Sequence, residues 1–133
     1  MKVAFGTGDG VHINTHFGSA KKMDIYDVSQ EGYNFLNTIE FGGNLKQDGN
    51  EDKLVPKIEA LEGCKIVYVA AIGGSAASRL MKHQVTPLKV QSEEDEIETI
   101  LEDLVETLKG TPPPWLRKII GRTSKSFDFE DDD

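Results

Sequence analysis

His12 and His16 stand four positions apart in Gly10-Val11-His12-Ile13-Asn14-Thr15-His16-Phe17-Gly18, and they are two of the three histidines in the chain. Imidazole both ligates borderline metals and titrates near neutral pH. The pair follows the glycine-rich run Gly6-Thr7-Gly8-Asp9-Gly10, which itself follows a short apolar stretch. In an open α/β sheet, ligands are received where strands end in such loops. Val11, Ile13 and Thr15 are β-branched and glycines bracket the segment, so extended rather than helical backbone is expected. Four extended residues hold the two rings ~13 Å apart, too far to share one small ion. Three arrangements stay open: a large ligand gripped by both rings, one histidine working alone, or a loop that folds back.

Two other stretches invite a catalytic reading and fail it. Gly6 to Gly10 lacks the Lys-Ser/Thr ending of a nucleotide P-loop, and it runs into β-branched residues where a dinucleotide site needs a helix. Gly73-Gly74-Ser75 matches a nucleophile elbow only in part, since Ala77 stands where the second flanking glycine belongs. Ser75 suits a helix N-cap instead. There is no carboxylate pair, His-Cys cage or Cys-x-x-Cys motif. The chain therefore offers ligands without catalytic machinery, the mark of a binder rather than an enzyme.

These residues need a scaffold. Residues 2–5, 23–28, 33–41, 64–72 and 85–90 read as strands. The second and third form a hairpin around Ser29-Gln30-Glu31-Gly32, with Tyr33, Phe35, Ile39 and Phe41 on one face. The nearly unbroken apolar run Cys64-Lys65-Ile66-Val67-Tyr68-Val69-Ala70-Ala71-Ile72 predicts a central strand covered on both faces. Pro87 marks an edge strand. Helices are expected from about Asp52 to Leu61, from Ser75 to about His83, and from Ser92, where Ile97, Ile100, Leu101, Leu104, Val105 and Leu108 repeat with helical spacing. Gly110 and Pro112-Pro113-Pro114 end the last of these. The order β-β-β-α-β-α-β-α gives a single α/β domain over residues 1–110, a mixed five-stranded sheet with flanking helices. Residues 111–120 read as a docking segment with a short helix, residues 42–50 as a polar mobile loop, and residues 121–133 as a disordered acidic tail.

If strands 2–5 and 65–71 run parallel at the sheet centre, Gly73 and Gly74 emerge beside Gly6 to Gly10. Their N–H groups and the following helix dipole then make an anion cradle facing His12 and His16. Lys21 and Lys22 follow closely and can meet an anionic ligand. Cys64, at the other end of its strand, reads as a plain buried thiol, and His83 as a dipole-complementing residue at a helix C-terminus.

The charge is uneven. Residues 1–92 carry ten Lys/Arg and ten Asp/Glu, whereas residues 93–106 hold eight acids and no base. With a net charge of −8 and no basic stripe, nucleic-acid binding is not expected. The single cysteine excludes an internal disulfide and suits a reducing compartment. No apolar run reaches membrane-spanning length, so a cytoplasmic protein without membrane contact is expected.

Val3-Ala4-Phe5, Asp9-Gly10-Val11-His12, His16-Phe17-Gly18, Asp24-Ile25-Tyr26-Asp27-Val28, Gly63-Cys64-Lys65-Ile66-Val67-Tyr68-Val69-Ala70-Ala71-Ile72-Gly73-Gly74 and the closing Pro113-Pro114-Trp115-Leu116-Arg117-Lys118 occur together in this chain. In combination they resemble the dinitrogenase iron–molybdenum cofactor biosynthesis family, over about residues 1–120. That resemblance implies an RNase H-like fold. It implies non-catalytic binding of iron–sulfur precursors of the nitrogenase cofactor and their transfer from NifB to the NifE–NifN scaffold. The family's cofactor-binding histidine maps onto His16, with His12 a second candidate, and Cys64 matches a cysteine common in one branch of the family. A monomer or weak homo-oligomer is expected. The alternative is a cluster-free interaction protein or chaperone for a nitrogenase scaffold or apo-nitrogenase.

Overall fold

A computed structural model describes residues 1–41 and 54–124. Five strands, β1 (Lys2–Gly6), β2 (Lys22–Ser29), β3 (Gly32–Glu40), β4 (Cys64–Val69) and β5 (Thr86–Lys89), form one sheet in the order β3-β2-β1-β4-β5. β1, β2 and β3 are an antiparallel meander, while β4 runs parallel to both β1 and β5. The helices are α1 (Leu54–Ala60), α2 (Gly74–Lys82), α3 (Ile97–Lys109) and α4 (Pro114–Ser124). No helix among the described residues is long and apolar enough to cross a membrane.

Apart from Lys2 and Lys65 near their starts, the two central strands are apolar on both faces because both faces are covered. Ala4, Val67 and Val69 pack into a core with Phe17, Met23, Ile58, Leu61 and Leu80, beneath α1 and α2. Their alternating neighbours Val3, Phe5, Ile66 and Tyr68 pack with Ile13, Ile97, Leu101, Leu104, Leu116 and Ile119, beneath α3 and α4. Strand alternation thus builds a three-layer molecule from one apolar run. Pro87 sits in the edge strand β5, as its missing N–H predicts. Pro56 is the third residue of α1, in the first turn, where it breaks no helical bond.

Four expectations are corrected. Tyr33 and Ile39 do not share a face. The β2–β3 register slips between Ile25 and Tyr26, pairing Ile25 with Asn37 but Tyr26 with Phe35, so Leu36 is an extra residue. Tyr33 then packs on the α3 side and Ile39 and Phe41 on the α1 side. The long helix starts at Ile97, not Ser92. The chain ahead of it makes a turn, with the Asp95 N–H donating to the Ser92 carbonyl at 3.0 Å, and then bonds to the histidine loop. Tertiary pairing there overrides helix propensity. β4 ends at Val69 rather than Ile72, leaving Ala71 as an isolated bridge. Finally, α4 continues to Ser124, past the expected start of the tail at Gly121, and it buries Leu116 and Ile119. The expected polar loop 42–50, the start of α1 at Asp52 and the tail from residue 125 lie outside the described residues.

Candidate functional site

The segment from Thr7 to Ala20 crosses the sheet end at which β1 and β4 finish. Ile13 is buried in the α3-side core and Phe17 in the α1-side core, so the loop passes from one layer to the other. Backbone bonds tie it down on both sides. The Ala70 N–H donates to the Thr15 carbonyl at 2.9 Å and the Phe17 N–H to the Ala71 carbonyl at 2.8 Å, which pairs His16 with Ala71. The Ile13 N–H donates to the Asp95 carbonyl at 2.9 Å and the Ile97 N–H to the Val11 carbonyl at 2.8 Å, which pairs His12 with Glu96. Each histidine is therefore mounted on a different partner, at the same end of the sheet.

Both rings meet water. The His16 side chain is 61% exposed and the His12 side chain 36%. His16 Nε2 lies 3.9 Å from Glu93 Oε2, a solvent-screened pair that adds little stability. His12 is held far more firmly. Asp9 Oδ2 is 2.7 Å from His12 Nδ1, while Asp9 Oδ1 accepts the backbone N–H groups of Val11 and His12 at 2.8 Å each and the Thr7 hydroxyl at 3.2 Å. The hydrogen bond from His12, with those from the backbone, holds the Asp9 carboxyl below the usual carboxylate range. The same bond to Asp9 raises the His12 pKa, with the charges of Asp9, Glu96 and Glu94 adding to it. The Gly10 N–H donates to the Thr7 hydroxyl at 2.9 Å and Gly10 takes φ +79°, a conformation that closes this turn and suits glycine.

The His16 turn has its own anchor. Phe17–Ser19 is a single 3-10 turn with Phe17 fully buried beneath it. Lys57 of α1, only 3% exposed, donates from Nζ to the Phe17 carbonyl at 2.9 Å and the Gly18 carbonyl at 2.7 Å. Its ammonium also lies 5.9 Å from the Phe17 ring centre and 5.4 Å from that of Phe41.

α2 begins three residues beyond Ala71. Its N-cap is Gly73, not Ser75, and no side chain caps it. The Ala77 N–H closes the first turn on the Gly73 carbonyl at 3.0 Å, so the amides of Gly74, Ser75 and Ala76 have no partner within the helix. No acid occupies that first turn, and a Cβ placed on Gly73 or Gly74 would meet nothing within 4 Å. Gly73, Gly74 and Ser75 are exposed at the start of α2, just beyond the Ala71 that pairs with His16, and a helix N-terminus carries partial positive charge. The His12 side is the reverse, bordered by Asp9, Glu94 and Glu96.

Cys64 does not join the histidines. It starts β4, paired with Lys2, seven residues and about 23 Å of strand from Ala71. Burial pushes its thiol up to about 11. The ligand set His16, His12 and Cys64 therefore splits between opposite ends of the sheet. His83 is the C-cap of α2, as expected, with Nδ1 3.1 Å from Glu62. Lys22 opens β2 half-buried, and Lys21 is exposed. Sequence reasoning missed Asp9 and Lys57. Asp followed by Gly is the signature of an Asx-type turn and pointed to the first, whereas nothing marked the second.

The family model for the dinitrogenase iron–molybdenum cofactor matches residues 1–107, and the chain belongs to that family. Membership sets its work within nitrogenase cofactor biosynthesis. The chain is 47% identical over 133 residues to Protein NifX of Herbaspirillum seropedicae, covering 99% of this chain and 90% of that one. It is 34% identical over 120 residues to the FeMo cofactor biosynthesis protein NifB of Sinorhizobium fredii, where the match spans 23% of the longer relative. A Methanocaldococcus jannaschii protein of known structure, designated a dinitrogenase candidate, shares the fold with TM-score 0.55 at 16% identity, over 85% of this chain and 97% of that one.

Proposed function

We propose that this chain is a non-catalytic carrier. It binds an iron–sulfur precursor of the nitrogenase iron–molybdenum cofactor, receives it from NifB and passes it to the NifE–NifN scaffold. The observation that carries this reading is the position of His16. Its ring is exposed and its backbone is paired with Ala71, three residues ahead of Gly74, where α2 begins. An iron-rich anionic cluster presents both surfaces such a place can meet. Imidazole nitrogen ligates an outer iron, and amide N–H groups face its sulfides. His12 supplies a second imidazole at the same end of the sheet. Few ligands, all neutral, also let the cargo leave, where a cage of thiolates would hold it. The acids at the start of α3 serve partner choice by steering association.

Anaerobic titration with the cluster made by NifB tests this. Near-stoichiometric iron and a visible absorbance change are expected for wild type, with affinity reduced at least tenfold in His16→Ala. A folded His16→Ala variant that binds as tightly as wild type overturns the assignment of that residue.

A second reading is a cluster-free chaperone of a nitrogenase scaffold. Trp115 supports it, 44% exposed on α4 beside exposed Arg117 and Lys118. Complex formation that is indifferent to cluster and to both histidines, but lost in Trp115→Ala, is its signature. Truncation after Gly110 is a poor test, because it removes buried Leu116 and Ile119 from the core.

A further inference from the structure

Sequence and family reasoning rank the two imidazoles with His16 first, yet among the described residues only His12 is oriented by a carboxylate. His12 Nδ1 sits 2.7 Å from Asp9 Oδ2. The other Asp9 oxygen accepts two backbone amides and the Thr7 hydroxyl, so the carboxylate cannot rotate away from the ring without losing three bonds. A carboxylate oxygen accepts and does not donate, so in the neutral ring the proton resides on Nδ1 and the lone pair on Nε2. This is the arrangement by which proteins present a metal-ligating histidine, a carboxylate behind the ring fixing its tautomer and direction. Backbone pairing of His12 with Glu96 holds the same residue from the other side. Among the described residues His16 has no such support, the carboxylate paired with it being that of the exposed Glu93 at 3.9 Å.

We infer that Asp9 is a positioning residue that commits His12 Nε2 to be the preformed iron ligand of the carrier site, while His16 closes on the cargo afterwards. The inference rests on the carrier reading above and deepens it. The two histidines then divide the work. His12 is a fixed post, ready before the cargo arrives, and His16, more exposed and beside the α2 amides, is the adaptable contact.

Asp9→Asn separates this role from a merely structural one. The asparagine oxygen still accepts the backbone amides of Val11 and His12, but its NH2 group faces Nδ1 and donates to it. Neutral His12 must then carry its proton on Nε2 and lose the lone pair that binds iron. Long-range 1H–15N spectra of the metal-free protein, taken at a pH where the ring is neutral, read the tautomer directly. Wild type is expected to show protonated Nδ1 and bare Nε2, and Asp9→Asn the reverse. With the NifB-made cluster, Asp9→Asn is expected to weaken binding about 10–100-fold, the usual consequence of losing such a partner. The same substitution in a His12→Ala background is expected to change affinity by less than about twofold, since its effect passes through the ring. An Nε2-protonated wild-type ring overturns the assignment. So does an Asp9→Asn cost that persists at full size without His12, which would mean that the loop had simply loosened. Failure of wild type to take up any cluster refutes the carrier reading and the ligand role with it, and the tautomer spectra then still decide whether Asp9 orients the ring.

Discussion

Lys57→Met removes the ammonium beneath the His16 turn and keeps most of the stem. Its bonds to the carbonyls of Phe17 and Gly18 are lost. Gly18 is exposed, so its carbonyl recovers water; Phe17 is fully buried, and its carbonyl does not. One buried acceptor left unsatisfied costs about 1–3 kcal/mol. The attraction of the cation to the Phe17 and Phe41 rings is also lost, about 0.5–2 kcal/mol, but a thioether against the same rings restores about as much. Relief from holding an ammonium out of water works in the opposite direction. The net expectation is a loss of about 1–3 kcal/mol. At roughly 4 °C per kcal/mol for a chain of this size, thermal unfolding should fall by about 4–12 °C. Hydrogen exchange should show the loss concentrated at the Phe17 amide, whose bond to Ala71 holds the turn against β4. Lys57→Ala should be worse, since it also deletes buried methylenes at about 0.8 kcal/mol each. If Lys57→Met melts with wild type and leaves Phe17 exchange unchanged, the clamp is not what holds this turn.

Three further outcomes are expected. Thr15 Oγ1 is buried with no hydrogen-bond partner among the described residues, so Thr15→Val, similar in shape, should stabilise the fold by about 1 kcal/mol in urea unfolding. Cys64, pushed by burial from the usual 9.0 up to about 11, should react with iodoacetamide about 100-fold more slowly in the native protein than in the denatured chain. The raised pKa of His12 gives two opposite pH dependences. A proton on Nε2 excludes iron, so cluster affinity should hold above that raised value and fade as pH drops through it, with a midpoint above 6.5. In cluster-free protein the Asp9 pair instead adds stability at low pH, which is lost as pH rises through the same value. Binding titrations and urea unfolding across pH read the two separately, and trends of the same sign would refute the assignment.

Much of the scaffold was legible because burial writes itself into strands plainly. The apolar runs Val3 to Phe5 and Ile66 to Val69 read as central strands, and the parallel pairing supposed between them is the one observed. The hairpin was read correctly but its phase was not, since one extra residue at Leu36 exchanges the faces of everything after it and no residue type announces a bulge. The start of α3 was misplaced because Ser92 followed by three acids is a strong local helix signal, and the competing bonds to Val11 and Ile13 are tertiary. Within the site, the histidines were conspicuous by type, but the groups that hold them were not. Asp9 looked like a turn residue and is one; that its second oxygen reaches an imidazole depends on the loop closing. Nothing in the sequence around Lys57 marks it, and only the fold shows it inside.

The two histidines are fastened to different parts of the molecule. His16 is bonded through the backbone to the chain just beyond β4, whereas His12 is bonded to the approach to α3. A substitution that disturbs the start of α3 therefore reaches the backbone hold on His12 and leaves that on His16 untouched.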